Sequence, residues 1–201
     1  KNKFKIKSNI SKNKFKNMVL TAKKHIVNGD IFQVVLSQRF ERKFKKKPLE
    51  IYNYLRKSNP SPFMFYFNYE DFKVLGSSPE ILVRLRNKKI TIRPIAGTRP
   101  RGKNKFQDKK YKKELLKDKK ELAEHLMLLD LGRNDVGKVS KINSVKVTES
   151  FNVEKYSHVM HIVSNVVGEF NEKVSIFEAL LSGFPAGTVS GAPKIRAMEI
   201  I

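Results

Sequence analysis

Three strand-like segments, FMFYFNY, ILVRLR and ITIRPI, follow one another between residues 63 and 95 with no helical pattern between them. They are rich in aromatic and β-branched residues, and turn residues at 70–71 and 87–89 separate them. Two more alternating segments, VSKINSVKVTES and YSHVMHIVSNVVGEF, follow later as a second pair. Neighbouring strands of this kind pair antiparallel, whereas parallel pairs need a long crossover. The order therefore predicts an α+β protein with a largely antiparallel sheet and with helices between the groups of strands.

Capping and turn residues divide the rest of the chain into helices and connections. Helices are predicted after Ser11, after Pro48, after Ser175 and near Pro193. The segment IFQVVLSQRF is predicted as one strand because of its β-branched and aromatic residues. The segments GTRPRG and GFPAGTVSGAP are predicted as loops, and the basic run RGKNKFQDKKYKK as a linker.

The segment ELAEHLMLLDLGRNDVG predicts a helix that breaks into a glycine-bounded loop. Leu122, Leu126 and Leu129 recur at helical spacing and so can face a core. Glu121 and Glu124 lie one turn apart and would repel each other unless a cation or a proton lies between them. Such oxygen ligands suit Mg²⁺, which takes one or two carboxylates and completes its shell with water and substrate. A solvated helix face with incidental acids is the alternative.

The glycine-rich segment GFPAGTVSGAPK, residues 183–194, is the second candidate for a ligand contact. Its small residues let the backbone approach a ligand closely, and it leads into a helix whose first N–H groups favour a carboxylate or phosphate. It is not a Walker A loop, because the glycine spacing differs and no Gly-Lys-Ser/Thr ending follows. The alternative is a plain connection between two helices.

Two single residues are further candidates for chemistry. His161 lies at the centre of an apolar strand, where an imidazole needs a partner or a task. Glu80 follows the turn residues GSSP at the start of a strand, where a carboxyl can act as an acid. The alternatives are a core histidine with its hydrogen bonds satisfied and a carboxyl that caps a turn.

The net charge of +23 raises the question of a nucleic-acid partner. Residues 1–57 hold 17 Lys and Arg against 3 Asp and Glu, whereas residues 121–201 hold 8 against 10. The Lys/Asn-rich stretches carry no zinc pair and no RNP-like aromatic pattern. We therefore interpret the charge as solvated surface, which would also attract an anionic substrate. A basic nucleic-acid-binding module stays the alternative.

The chain contains no cysteine and no long apolar run. Disulfides and thiolate metal sites are therefore excluded, and no segment predicts a membrane span or a secretory signal. We expect a cytoplasmic protein. Because the sequence begins without Met and ends within an apparent helix, we also expect a fragment of a longer protein.

Seven segments resemble, in this order, the chorismate-utilising enzymes and among them the family of anthranilate synthase component I: GDIFQVVLSQRF, NPSPFMFYF, GSSPEILVRL, RPIAGTRPRG, ELAEHLMLLDLGRNDVG, VEKYSHVMHIVSNVVG and GFPAGTVSGAPK. The likeness covers residues 29–201 and implies that they form a chorismate-binding catalytic domain without its C-terminal part, an incomplete, largely antiparallel β-sandwich with surrounding helices. The helical pattern after Ser11 predicts that residues 1–28 form an N-terminal helix region or the tail of a preceding segment. The family's remaining substrate and metal ligands would follow Ile201, so we expect these residues alone to be inactive.

The resemblance implies a lyase that forms anthranilate and pyruvate from chorismate and ammonia, the first committed step of tryptophan biosynthesis. It implies a Mg²⁺ ion that anchors the ring carboxylate of chorismate. Glu124 matches the family's direct Mg²⁺ ligand, and Glu121 matches a nearby acid that holds the ion through water.

Five further positions match residues that act on the substrate in the family. Glu80 matches the general acid that protonates the departing hydroxyl, and His161 matches the catalytic histidine that faces the substrate. Thr188 matches a threonine that contacts the reacting ring. Gly97 and Thr98 match loop contacts to the substrate.

Two positions distinguish this chain from other chorismate-utilising enzymes. Gln33 stands where isochorismate and salicylate synthases have a lysine that activates water, so ammonia is favoured as the nucleophile. Ala96 stands where aminodeoxychorismate synthase component I, the alternative assignment, has a lysine. Because no cysteine nucleophile is present, ammonia from glutamine would need a glutamine amidotransferase subunit, component II, as partner.

The segment NPSPFMF resembles the site at which the family binds L-tryptophan as a feedback inhibitor. Pro62, Phe63 and Met64 match the contacting positions, and the alternative is a proline-rich turn before a buried strand. A decayed pseudo-enzyme is a further alternative, which the intact candidate residues argue against.

Overall fold

The computed structural model describes residues 5–201. Its elements, in chain order, are β1 (Lys7–Ser8), α1 (Lys12–Val27), β2 (Gln33–Val34), β3 (Phe40–Glu41), α2 (Pro48–Ser58), β4 (Phe63–Asn68), β5 (Lys73–Ser78), β6 (Arg84–Arg86), β7 (Lys89–Ile92), β8 (Ile95–Pro100), α3 (Lys105–Leu115), α4 (Lys119–Gly137), β9 (Lys146–Lys155), β10 (Val159–Glu169), α5 (Ile176–Ser182), α6 (Gly187–Ser190), β11 (Gly191–Ala192) and α7 (Lys194–Ile200). The predicted α+β class with antiparallel pairing is confirmed.

The described chain forms two compact units. The first contains the described residues up to 28 together with 36–80, and the second contains 29–35 together with 81–201. These units group residues by packing, and the predicted functional division into 1–28 and 29–201 stays a prediction. Among residues 5–201, no helix is both long and apolar enough to cross a membrane.

The first unit consists of two helices and two small antiparallel pairs. Ser11 caps α1 by accepting a hydrogen bond from the backbone of Lys14, and Pro48 occupies the first position of α2, as predicted. The hairpin of β4 and β5 packs against α2. Strand β5 was not predicted, because KVLGSS has no strand signature of its own. Gly76 in β5 leaves the space that the Phe65 ring of β4 occupies.

The prediction of IFQVVLSQRF as one strand is wrong. Only two short parts of it are extended strands, and they pair with different partners: β2 pairs with β11, whereas β3 pairs with β1. The chain also passes from the second unit to the first between residues 35 and 36. Local β-propensity therefore marked an extended segment but not its pairing.

The second unit is built around β10, which pairs antiparallel with three strands. Strand β9 lies along one edge of β10, and β8 and β7 share its other edge. Helix α4 packs on β8 and β10. The larger core cluster comprises Ile90, Ile92, Leu129, Val136, Val139, Val166, Phe170 and Ala179, and the smaller comprises Leu115, Met160 and Ile162.

The prediction of GTRPRG as a loop is wrong, because its first part belongs to β8. Thr98 pairs with His161 and Ala96 pairs with Ile162, so Gly97 is an extra residue opposite a continuous partner strand. Gly97 has φ +71°, which is the left-handed conformation that such a β-bulge requires. The rest of the basic run is not a linker but contains α3.

The predicted break of α4 into a glycine-bounded loop is also wrong, since the helix continues to Gly137. Gly132 lies close to the connection between β7 and β8, and a Cβ there would lie 3.2 Å from Pro94 Cγ. Asp135 is buried because it forms ion pairs with Lys138 and Lys194. These residues of α4 therefore serve packing rather than a turn. The segment GFPAGTVSGAP likewise holds α6 and β11 and is only partly a loop.

Candidate active site

The second unit contains seven of the predicted site residues: Gln33, Gly97, Thr98, Glu121, Glu124, His161 and Thr188. Four of them form what we call the imidazole corner, defined as Gly97, Thr98, Glu121 and His161. The carboxylate of Glu121, on the first turn of α4, lies next to Gly97. A Cβ added to this glycine would be 3.3 Å from Glu121 Oε2. Asp118 fixes this turn by accepting hydrogen bonds from the backbone N–H groups of Lys120 and Glu121.

The imidazole of His161 is held by the bulge of β8. Its Nδ1 lies 3.0 Å from the carbonyl oxygen of Gly97 and 3.1 Å from Thr98 Oγ1. A carbonyl oxygen can only accept, so Nδ1 carries the proton that makes this bond. In the neutral ring, Nε2 then holds the lone pair. The ring edge of Tyr156 flanks the imidazole at a centroid distance of 5.4 Å. His161 is therefore fixed in tautomer and orientation, with Nε2 as its basic atom.

Arg99 supplies a cation at the imidazole corner that the sequence analysis missed. Its guanidinium donates to Asp118 Oδ2 at 2.7 Å and lies 3.7 Å from Glu121 Oε1. The hydrogen bond from Arg99 is the main cause that lowers the pKa of Asp118. Arg99 also donates to the backbone oxygen of Thr98. It thus joins the start of α4 to β8, and only the packing of β8 against α4 could have revealed it.

Gln33 and Glu124 meet at a second place, which we call the amide edge. The amide Nε2 of Gln33 donates to Glu124 Oε1 at 3.4 Å, and Gln33 Oε1 is buried without a hydrogen-bond partner among the described residues. Both line a cavity of about 420 Å³ together with Phe32, Lys120, Ala123 and Met127. Gln33 reaches this place because β2 pairs with β11, with Gln33 opposite Ala192.

Thr188 lies on the short helix α6, which packs against α4. Gly187 makes this packing close, since Leu131 of α4 occupies the space next to its Cα. The side chain of Thr188 is half-buried. The loop 183–194 thus brings Thr188 to the same helix that carries Glu121 and Glu124.

The two carboxylates of α4 fit the donor set of a Mg²⁺ ion. Glu121 and Glu124 are half-buried neighbours on one helical turn, and the orphaned oxygen of Gln33 lies beside the second of them. Within residues 5–201, no group of three or more His, Asp or Glu side chains could hold a metal ion. An ion at this place would therefore take the rest of its shell from water, substrate or other residues, as Mg²⁺ commonly does.

Four predicted site residues belong to the first unit. Glu80 follows β5, and its backbone N–H donates to Ser78 Oγ at 3.2 Å, while its side chain is exposed. Pro62 precedes β4, and Phe63 and Met64 are the first two residues of that strand. The roles of these residues as general acid and as tryptophan contacts stay predictions.

His125 forms a buried link between α4 and β10. Its Nε2 lies 2.6 Å from Ser164 Oγ, and the same hydroxyl accepts a hydrogen bond from the backbone N–H of Phe151. Burial lowers the pKa of His125 from 6.5 to about 4. The residue is therefore neutral at pH 7 and serves to hold the helix of the two carboxylates against the strand of His161.

The chain is similar to known proteins over nearly its whole length. A family model described as chorismate binding enzyme matches residues 1–201. Anthranilate synthase component 1 of Cereibacter sphaeroides is 61% identical over 98% of this chain and 39% of its own length. The crystal structure of anthranilate synthase component I from Streptococcus pneumoniae is 44% identical, with a TM-score of 0.89 over 98% of this chain and 43% of that one.

A more distant structure supports the fold alone. The menaquinone-specific isochorismate synthase MenF of Escherichia coli has a TM-score of 0.86 at 22% identity and is covered over 46% of its chain. The present chain spans about two fifths of the length of the curated relatives it matches.

Proposed function

The chain belongs to the chorismate-binding enzyme family, and on that premise we propose that the protein containing it converts chorismate and ammonia to anthranilate, pyruvate and water. The observation that carries the proposal is the imidazole corner. There, a histidine of fixed tautomer and a carboxylate of α4 meet at one backbone position, Gly97. The relatives named anthranilate synthase component 1 support the choice of product.

The reaction requires proton transfers in both of its halves. In the first half, a C–N bond forms, the attached ammonia gives up a proton, and the 4-hydroxyl takes up a proton and leaves as water; the family resemblance assigns the donor of that proton to Glu80. In the second half, the aminated carbon loses its hydrogen as a proton and the bond between the ring carbon and the ether oxygen breaks, so that the enolate of pyruvate leaves and takes up a proton at its methylene carbon. We assign the proton lost from the aminated carbon to Nε2 of His161, because Nδ1 is committed to the carbonyl of Gly97.

Glu124 and Glu121 would hold Mg²⁺, which supplies positive charge for the carboxylate of the substrate. Neighbouring residues hold these two carboxylates in place. Asp118 caps their helix, Arg99 balances the charge next to Glu121, and Gln33 donates to Glu124. The strongly positive chain also favours the approach of a substrate with two carboxylates.

Gln33 and Ala96 favour amination over the related reactions. The amide of Gln33 has no basic nitrogen and is engaged with Glu124, so it cannot activate water to attack the ring. Ala96, which pairs with Ile162 in the sheet, has no group that could attack the ring covalently. These residues argue against hydration and against the aminodeoxychorismate synthase assignment.

Two partners belong to the proposal. Glutamine amidotransferase component II would supply ammonia, since hydrolysis of glutamine by a thiolate needs a cysteine that these residues lack. L-tryptophan would act as a feedback inhibitor through Pro62, Phe63 and Met64. The exposed or half-buried state of these three residues leaves them accessible to a small ligand.

The test uses the full-length protein with chorismate, Mg²⁺ and an ammonium salt at mildly alkaline pH. We expect anthranilate, detected by its fluorescence and identified by chromatography, and no product when chorismate is omitted. Isochorismate or aminodeoxychorismate as the main product would refute the assignment. A mobility-shift assay with duplex DNA and RNA at physiological salt tests the nucleic-acid alternative, and we expect no shift.

A further inference from the structure

Lys194 is a buried cation for which the proposed reaction has no use. Its side chain is 9% exposed, and its Nζ donates to Asp135 Oδ2 at 2.6 Å and to the carbonyl oxygen of Gly183 at 3.0 Å. Asp135 is 7% exposed. Burying two charges costs free energy that their attraction only partly offsets, so such a pair is weak evidence for stability. Its position in the fold indicates another role.

The ammonium of Lys194 closes the loop 183–194. Gly183 is the first residue of this loop and Lys194 the last, so one Nζ ties both ends together. Asp135 belongs to α4, so the same atom also fastens the loop to the helix of Glu121 and Glu124. Loop ends that meet at one charged atom lose much of their freedom to open.

The closed loop carries two of the candidate site residues into place. Thr188 lies within it, on α6. The last part of the loop, β11, pairs with β2. Backbone hydrogen bonds also join Phe32 to Ala192 at 2.8 Å and Val35 to Ser190 at 3.0 Å. Gln33 lies between Phe32 and Val35, so the position of the loop 183–194 sets the position of the side-chain amide of Gln33.

We propose that Lys194 is a positioning residue, which closes the loop 183–194 on α4 and thereby aligns Thr188 and Gln33 with the carboxylates of that helix. It is not a catalytic residue, because its hydrogen bonds go to Asp135 and Gly183. The kinetic part of this inference rests on the proposed function. Its structural part does not, and the two can be tested separately.

The structural test is hydrogen exchange of the full-length protein with Lys194→Met. We expect the peptide covering residues 31–36 to exchange at least about tenfold faster, since its amides depend on the loop. The peptide covering residues 160–167, in the buried strand β10, should be unchanged. Lys194→Arg, which keeps the charge but cannot place a single Nζ between both acceptors, should lie between wild type and Lys194→Met.

Lys138→Met is the matched control. Lys138 binds the other oxygen of Asp135 at 3.0 Å, but it is 57% exposed and touches no residue of the loop through that bond. We expect its exchange in residues 31–36 to equal that of wild type. Its kcat should stay within about twofold, as for most exposed ion pairs.

The kinetic test is anthranilate formation from chorismate and ammonium. For Lys194→Met we expect kcat to fall about 10²-fold, because misplaced groups lose reactive geometry, while KM for chorismate stays within about threefold.

Unchanged exchange in residues 31–36 of Lys194→Met would overturn the inference. An equal increase of exchange in residues 31–36 and in residues 160–167 would also overturn the inference. Lys194 would then stabilise the whole fold rather than the loop. If wild-type protein forms no anthranilate, the proposed function fails, and the exchange comparison still decides the role of Lys194.

Discussion

The imidazole corner and the amide edge lie along the same helix but are held by different means. His161 and Gly97 belong to long strands paired over many residues, and Glu121 follows a capped helix start. Gln33 and Ala192 belong to strands of two residues each, and Gln33 reaches Glu124 through one hydrogen bond of 3.4 Å.

This difference separates the two tasks of the proposed enzyme. The group proposed to move protons, His161, is fixed by a buried sheet, which opens only at high free-energy cost. The group proposed to choose the nucleophile, Gln33, depends on a loop and short strands, which open more easily. Substitutions at the amide edge can therefore change the reaction without changing the fold, whereas substitutions at the imidazole corner affect both.

The largest effect is expected for His161→Asn, measured in anthranilate formation. The asparagine amide can still donate to the carbonyl of Gly97, but it offers no basic nitrogen in place of Nε2. We expect kcat to fall about 10³-fold, in the range of general base catalysis. Thr98→Val, which removes the contact of 3.1 Å and the hydroxyl proposed to contact the substrate but keeps the imidazole, is the control and should lose less than about tenfold. A kcat of His161→Asn within tenfold of wild type would contradict the assignment of the base.

The buried contact between His125 and Ser164, which holds α4 against β10, is expected to lose its stabilising effect at acid pH. Because burial lowers the pKa of His125 from 6.5 to about 4, the unfolded chain binds a proton more tightly than the folded one. The stabilisation is therefore complete above pH 6.5 and is lost as pH falls toward 4. The loss amounts to about 3 kcal/mol, at 1.36 kcal/mol for each unit of pKa.

Urea unfolding at pH 7, 5.5 and 4.5 measures this loss, with His125→Gln as control. The variant should be less stable at pH 7 but should show a smaller decrease between pH 6.5 and 4. The aspartates with lowered pKa values, such as Asp118, lose their stabilisation only below their usual 3.8 and so contribute little in this window. Equal pH dependence in both proteins would contradict the role of His125.

Local signals in the sequence were enough for α1, α2, α5, α7, the first part of α4 and the central strand, whereas α3 and α6 were missed. Ser11 and Ser175 mark helix starts because a hydroxyl satisfies a free backbone N–H, and both caps are present in the structure. Helical spacing was enough to place Glu121 and Glu124 on one turn. Strand β10 was predicted from its alternating pattern, and its side chains alternate in burial at both ends of the strand.

Contacts between distant segments could not be predicted in this way. The bulge at Gly97 exists only because β8 pairs with β10, and Arg99 meets Asp118 only through the packing of β8 against α4. Asp135 reads locally as part of a turn, yet it lies within α4, where Lys194 pairs with it from 59 positions along the chain. In each case a tertiary contact overrode the local signal.

Gly97→Ala compared with Gly29→Ala tests how tightly the imidazole corner is built. Both glycines have positive φ, +71° and +79°. A Cβ at Gly29 meets nothing within 4 Å, whereas at Gly97 it lies 3.2 Å from Ile162 and Leu115. We expect the free energy of unfolding to fall by about 1 kcal/mol for Gly29→Ala and by about 2 kcal/mol for Gly97→Ala, from urea unfolding. Equal losses would mean that the bulge has room to relax.

The smallest effect is expected for Tyr156→Phe, and it decides whether backbone or side chains hold His161. The hydroxyl of Tyr156 donates to Glu154 Oε2 at 3.0 Å, and Glu154 accepts from Arg93 at 2.5 Å, so the substitution releases the ring that flanks the imidazole. If the carbonyl of Gly97 is the main support, kcat should fall only about twofold, the effect of one partly exposed hydrogen bond. Tyr156→Leu removes the ring contact as well and should cost about tenfold. A loss in Tyr156→Phe as large as that in Tyr156→Leu would show that the hydroxyl anchor, rather than the bulge, holds the imidazole. The imidazole corner would then depend on single contacts, as the amide edge does.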